Sequence, residues 1–377
     1  MNKVLLPHAE QFDLINKNLE KIANAISSDM DISTWAGIQK AVRVGVAPDL
    51  IPVGTQLVVN HSVYGDMLYD VVAHDHYKSA YDENAHTMTL MCHDLITKVQ
   101  YDAPEAFYYA ASGLSPGIYN FIIVNTYEQW TMGTYCFTLM NAVPAGGQLR
   151  INSKSNTAMT SCRVLSYASG ASTSAIEEST ISAGSGGTNL GTFGVTLNHV
   201  ARVSYGTNNY KEAAIRQFLN SSAEAGKVWS PQTKFDAPPS WVTSLEGFVK
   251  GLDKDFLSVV GEVVVPCATN DAYESPDSTV TTSSKYIVTD KFYLPSAREI
   301  VQGDTASVDD GLSLFPYYEN AESVDRIKYM TNAPTAWWAR SANNQHASTV
   351  SAFNISGVKS TFSPHNSFGI SPVCTIV

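Results

Sequence analysis

Two periods of apolar positions run along the chain. From Phe12, the residues Phe12, Ile15, Leu19, Ile22 and Ile26 recur at steps of three and four, with Asn16, Lys17, Asn18, Glu20 and Lys21 between them. That spacing is a heptad seam. A seam of about two heptads does not hold as a lone helix in water. Residues 1–36 are therefore expected to form an amphipathic helix that either docks on its own chain or joins copies of the chain, and Ile and Leu at the axis suit a homotrimer. Between Leu50 and Thr97 the period changes to two. "IPVGTQLVV", "DMLYDVVAHD" and "HTMTLMCHDLI" alternate and are punctuated by Gly, Asn and Asp, which predicts hairpin strands.

The stretch from Ser115 to Asn152 reads as three β-runs broken at Pro116-Gly117, around Met132-Gly133 and at Pro144 to Gly147. Ser, Thr, Gly and Ala dominate from Ser166 to Gly191, predicting loop or exposed strand. Helical spacing returns after Val195. Asn208 or Asn209 is the expected cap of a helix that buries Ala214, Ile215, Phe218 and Leu219. A second helix is expected from Ser240, with Trp241, Leu245, Phe248, Val249 and Leu252 turned inward. Strands and long loops follow from Val259, and no internal repeat is present. The class these patterns predict is α+β: two helices, antiparallel strands and long loops.

Composition narrows the function. The 377 residues exceed what a single core normally serves, so at least two units are expected. Only 16% of residues are charged while 44% are apolar, so the surface must rely on neutral polar groups. A net charge of -11 without a basic cluster argues against nucleic-acid binding. The first residues carry no apolar core of signal-peptide length, and no apolar run is long enough to span a bilayer; neither Sec-type export nor membrane insertion is expected. Cys92, Cys136, Cys162, Cys267 and Cys374 have no zinc-like spacing and read as reduced, mostly buried thiols.

Catalytic patterns are weak throughout. "GLSPG" mimics a nucleophile elbow, but Pro116 has no N–H to offer an oxyanion and a strand follows Ser115. "GSGGTNLG" lacks the Lys-Ser/Thr of a phosphate loop. His74, Asp75, His76, Cys92, His93 and Asp94 lie on two neighbouring strands, where His74 and His76 can share a side but Asp75 cannot join them; polar strand ends beside turns explain them better than a metal. The expectation is a protein that is not an enzyme and needs neither metal nor cofactor.

The most distinctive segment is "WWARSANNQHASTVSAFNISG". Trp337, Trp338 and Arg340, followed by Val350, Gly357, Gly369 and "SPVC", form an apolar and glycine framework around neutral polar residues. This pattern resembles the terminal segment of C-type-lectin-like variable proteins, a bacterial and phage family that serves as target of diversity-generating retroelements. "NHVARVSYGTNNYKEAAIRQFLNSS", "WSPQTKFDAPPSW" and "LDKDFLSVVGEV" look like the middle of that family, and "LYDVVAHD" with "HTMTLMCHDLI" like its opening strands.

The resemblance implies a C-type-lectin-like domain made of residues 37–104 and 196–377, interrupted by a β-rich insertion at 105–195; an independent β domain followed by a complete lectin-like domain is the other layout. It also implies a ligand-binding face at about 337–377, lined by Asn343, Asn344, Gln345, His346, Ser348, Thr349, Ser351, Asn354, Ser360, Thr361, Ser363 and His365. Trp337, Trp338, Arg340, Gly357 and Gly369 would be its framework. Gln345 is a residue that diversified asparagine-type codons do not easily yield. Calcium-dependent sugar motifs, and the paired late cysteines of sulfatase-activating relatives, are absent from the sequence. The function implied is receptor binding or adhesion on a phage virion, at the tail or capsid surface, toward a host surface protein or glycan, with other virion proteins held through the N-terminal region. A virion structural or decoration protein using the same domain as scaffold is the alternative.

Overall fold

The computed structural model of the chain describes residues 30–104, 117–124, 131–139, 161–167, 182–183, 205–232, 236–270, 283–346 and 348–377. The seam from Phe12 to Ile26 lies outside them. The described part is mixed α and β, with mostly antiparallel sheets and few helices.

The main sheet joins segments from opposite parts of the sequence. β1 (Gln56–His61) and β2 (Gly65–His74) form the expected hairpin, turning at Gly65 with φ +71°. β2 pairs with β4 (Met88–Cys92), β4 with β19 (Val373–Ile376), and β19 with β12 (Phe292–Tyr293), all antiparallel. Every residue of β4 and β19 is buried, because both faces of these central strands are covered. β3 (Lys78–Ser79) leaves this sheet to pair with β10 (Val263–Asn270), whose other partner is β11 (Ser283–Asp290).

A second sheet has the order β17 (Lys359–Phe362), β16 (Val350–Phe353), β15 (Trp337–Ala342), β18 (Ser367–Gly369), β5 (Lys98–Gln100). The β15–β18 pair is parallel and the other three are antiparallel. Both large sheets thus draw strands from residues 56–100 and from beyond residue 290, and one hydrophobic core runs from Met30 to Ile376. A small ribbon, β13 (Tyr329–Met330) with β14 (Ala333–Pro334), precedes β15.

The helices are short. α1 (Trp35–Arg43) is capped by Thr34, whose Oγ1 accepts from Gly37 N, and buries Ile38, Ala41 and Val42. It runs across the boundary expected at residue 36. α2 (Ala47–Leu50) follows it. α3 (Ala214–Asn220) buries the four apolar residues anticipated, but neither asparagine caps it. Asn208 is buried against Asn270 O, and Asn209 Oδ1 closes a turn on Lys211 N.

The helix expected from Ser240 is not formed. Residues 240–247 make turns, and only Phe248–Gly251 coils, as a 3-10 turn. Leu245 N closes one turn on Trp241 O, but Gly247 N and Val249 N then donate to Ala223 O and Ser221 O, an approach so close that a side chain at Gly247 would stand 2.1 Å from Ser221 O. Trp241, Phe248 and Leu252 are buried all the same. Phe248 O pairs with His61 Nε2 at 2.9 Å, while His61 Nδ1 accepts from Val63 N and Tyr64 N at the β1–β2 turn. The regular helices nearby are α4 (Lys254–Val259) and α5 (Ala297–Ile300), capped by Asp253 and Ser296.

Between the two segments, β6 (Gly117–Val124), β7 (Thr131–Leu139), β8 (Ser161–Tyr167) and β9 (Ser182–Ala183) form a four-stranded antiparallel sheet of their own, in the order β8-β6-β7-β9. Met132-Gly133 does not break a strand, as the sequence suggested, but lies inside β7, opposite an irregular step at Ile123/Val124. The third expected run, toward Asn152, lies outside the described residues.

The chain leaves the core after Ala103 and returns to the same place. Asp102 Oδ2 accepts from Thr207 N at 2.8 Å and Oδ1 from Ala214 N at 3.1 Å. Gly206, at φ +84°, lies so close that a Cβ there would be 2.9 Å from Ala103 O. A buried carboxylate that accepts two backbone donors staples the two crossings together. Replacing residues 105–204 by a short Gly/Ser linker is expected to leave a cooperatively folded protein, since its closing cost grows only with the logarithm of loop length. Loss of the sharp unfolding transition in that deletion would show that the intervening segment is needed for the core.

Candidate functional site

The framework of the C-terminal face is buried to an unusual degree. All six residues of β15 are inaccessible. Trp337 stacks on Phe353 with ring centroids 4.3 Å apart and donates its indole N–H to Arg326 O; Trp338 donates to Val99 O and packs against Phe368 and Tyr101. Each tryptophan buries a large area while satisfying its one polar group.

Arg340 lies between them and the main sheet, 1% exposed. Its Nη1 donates to Glu299 Oε2 at 3.2 Å and to Leu294 O at 2.5 Å, and its Nη2 to Tyr77 OH at 3.1 Å. Nε and Nη2 both reach Pro266 O at 3.3 Å. Glu299 is fully buried and accepts in addition from Ser296 N, His76 Nε2 and Tyr77 OH. Burial alone would push its carboxyl up, but Arg340, His76 and Tyr77 outweigh burial and hold it below its ordinary 4.5. Ser296 Oγ and Ala297 N meet Ser341 Oγ, tying the start of α5 to β15 a second time.

The twelve residues expected on the face divide into three groups. Asn343, Ser348 and Ser351 are buried. Asn343 Nδ2 donates to Thr349 Oγ1 at 3.0 Å and Thr361 Oγ1 at 3.4 Å, while its Oδ1 accepts from Gln345 N. Ser351 is wholly enclosed, 2.9 Å from Ser307 Oγ. In this structure these three side chains belong to the framework and line no open surface.

A second group is partly exposed but engaged. Asn344 Nδ2 donates to Thr305 O at 2.6 Å, and Asn354 Oδ1 accepts from Ser356 N and Val358 N to close the β16–β17 turn. Thr349 and Thr361 are half-buried on Asn343. The third group is Gln345, which is exposed, and His346, Ser360, Ser363 and His365, which are half-exposed.

Strand alternation separates these further. Along β17, Thr361 faces Asn343 and Lys359 Nζ reaches Asp304 Oδ1 at 2.9 Å on the same side. Ser360 and Phe362 therefore point the other way, and Phe362 meets Phe368 at 4.8 Å. His365 stacks on Tyr205, 5.7 Å between centroids and nearly parallel.

Residues 304–307 are a part of the site that the sequence did not single out. Their Ala306 O and Thr305 O accept from Asn344 N and Nδ2, and they add a bridge between Ser307 and Asn343 and the Ser307–Ser351 contact. Only a short "DTAS" run marked them. Gly357, at φ +70°, closes the hairpin where a Cβ would fall 1.7 Å from Ser323 O, while Gly369 keeps clear of Leu95.

The histidines of the opening strands do not converge. Asp75 adopts φ +53° just after β2 ends, and His74 and His76 go to Ile51 O and Glu299 respectively. His93 pairs with Asp70 at 2.8 Å and His86 with Asp75 at 3.0 Å. Among the described residues no three His, Cys, Asp or Glu side chains gather as a metal requires. Burial pushes the thiols of Cys92 and Cys267 up to about 12, so neither is a thiolate near neutrality.

Three outcomes follow from this geometry. Glu299→Ala leaves Arg340 charged and unpaired in the core, so unfolding by denaturant is expected to show a loss of about 3–5 kcal/mol. The native carboxyl lies below its ordinary value, so its contribution is complete above about pH 4.5 and lost as pH falls through the native value. A Glu299→Gln protein should accordingly lose less stability than the natural chain on acidification over that range. Gly357→Ala, which meets both strain and a backbone clash, is expected to cost at least about 2 kcal/mol by the same measurement.

Among the described residues no helix is long and apolar enough to cross a membrane. No curated protein and no solved structure matches the chain. One family model does, over residues 189–377, a segment that holds β10 to β19 but takes its sheet partners β4 and β5 from outside the match. The chain belongs to that family, described as a domain of unknown function (DUF6273).

Proposed function

We propose that this protein is a non-enzymatic receptor-binding or adhesion protein of a phage virion, with a C-type-lectin-like domain built from residues 37–104 and 196–377. Its diversifiable face consists of the neutral side chains around β15 to β18. The observation that carries this reading is the contrast between a strand buried on both sides, locked by Arg340 and Glu299, and the uncharged groups set on its margins: Gln345, His346, Ser360, Ser363 and His365. A rigid base with adaptable hydrogen-bonding side chains is what a variable binding surface needs.

The ligand is a host surface protein or glycan. The N-terminal region joins other virion proteins and, through the Phe12 to Ile26 seam, three copies of the chain. Several copies on one particle turn weak single contacts into firm attachment. Net charge -11 disfavours nucleic acid as the ligand.

One observation favours a second reading, a virion structural or decoration protein whose domain is scaffold only. Asn343, Asn344, Ser351 and Asn354 spend polar atoms on partners within the same chain. Substituting Gln345, His346, Ser360 and Ser363 together by Ala separates the two. The adhesion reading expects host-cell binding to fall at least about tenfold with unfolding free energy within about 0.5 kcal/mol per site. Unchanged binding with impaired particle assembly would select the scaffold.

A further inference from the structure

A cleft of about 530 Å³, lined by none of that face's residues, lies between the end of α1 and the loop that follows β3. Arg43, Ser79, Tyr81, Asp82, Asn84 and His86 line it, together with Ala85 and Val377. Its size falls within the range of small-molecule sites.

Tyr81 is 82% exposed, the most exposed of the large apolar side chains described. The ring is nonetheless fixed. Its hydroxyl donates to Glu262 Oε2 at 2.5 Å and its backbone N–H to Ser79 Oγ at 3.3 Å. Ser79 is itself buried and paired with Val263 of β10. Asp82 Oδ1 accepts from Asn84 N, and Ala85 N donates back to Asp82 O. On the other wall, Asp75 holds His86 Nδ1 at 3.0 Å and Thr87 N at 2.8 Å, and the His86 ring covers Gly45. Arg43 Nε is braced by Val377 O at 3.3 Å. The walls are therefore set before any ligand arrives, which lowers the ordering cost of binding.

The charges restrict what fits. Asp75 already occupies His86 Nδ1, and Asp82 and Glu262 set negative charge beside Arg43. An anion gains little there. A single aromatic wall does not make a cage for an ammonium group. A flat apolar face backed by hydroxyls satisfies both sides: the Tyr81 ring packs against C–H groups, and Asp82, Asn84 and the unused Arg43 donors exchange hydrogen bonds with vicinal hydroxyls.

We propose that this cleft is a binding site for a neutral pyranose sugar, with Tyr81 as its stacking platform. It stands independently of the adhesive face. The test is saturation-transfer NMR on the full chain with the methyl pyranosides of glucose, galactose, mannose and N-acetylglucosamine. At least one is expected to bind with Kd on the order of millimolar. Tyr81→Ala should weaken it at least about tenfold, while Tyr81→Phe, which keeps the ring and loses the hydroxyl, should stay within about threefold. Both substitutions are at an exposed position, and an unchanged melting curve confirms folding. Absence of transfer from all four sugars, transfer unaffected by Tyr81→Ala, or displacement of the sugar by inorganic phosphate would each overturn the assignment.

Discussion

A guanidinium and a carboxylate, both removed from water, hold the domain together. Arg340 brings β15 to Glu299 of α5, to Pro266 of β10 and to Tyr77 beside β3, so four separate stretches of sequence meet on one ion pair. The cost of desolvating the two charges is met only because almost every lone pair and N–H of the pair finds a partner. Such a cluster tolerates little displacement of any one element. That intolerance fixes where β15 sits, and β15 carries the hairpin of β16 and β17 at its edge.

The polar groups around this base fall into two kinds. Asn343 and Asn344 spend their amides on the loop that follows β15 and on residues 304–307, and Ser351 closes on Ser307. Those bonds hold an irregular loop in one conformation without apolar burial. Gln345, His346, Ser360, Ser363 and His365 stand at its border with greater access to solvent. A face built this way changes more cheaply at an exposed position such as Gln345 than at its base, where a substitution breaks a buried bond.

How much of this was legible in the sequence follows from the range of the forces involved. Alternation located β1, β2 and β4, and the Trp337, Trp338 and Arg340 framework stood out by composition. Local period failed from Ser240, where Trp241, Phe248 and Leu252 have helical spacing and are buried, yet close approach of Gly247 to Ser221 holds a turn instead. At α1 the helical spacing is present, with Ile38, Ala41 and Val42 buried and Gln39, Lys40 and Arg43 around them, but nine residues are too few for it to stand out. At the site, residue type predicted neutrality but not direction. Whether a polar side chain points outward depends on partners distant in sequence, Thr305 for Asn344 and Ser307 for Ser351, and no pattern of neighbours carries that information.

The placement of β19 bears on how the molecule comes into being. Thr375 lies against Thr89, 286 positions away, in the middle of a sheet whose other strands wait on both sides. On a ribosome, β1, β2 and β4 emerge long before the strand that fills the gap. Until then β4 shows a bare, unpaired edge, a hazard that invites pairing with foreign strands. Assembly of the sheet is then a late, all-at-once event governed by long-range encounter. A protein so arranged should depend on holding chaperones more heavily than its modest helical content would suggest.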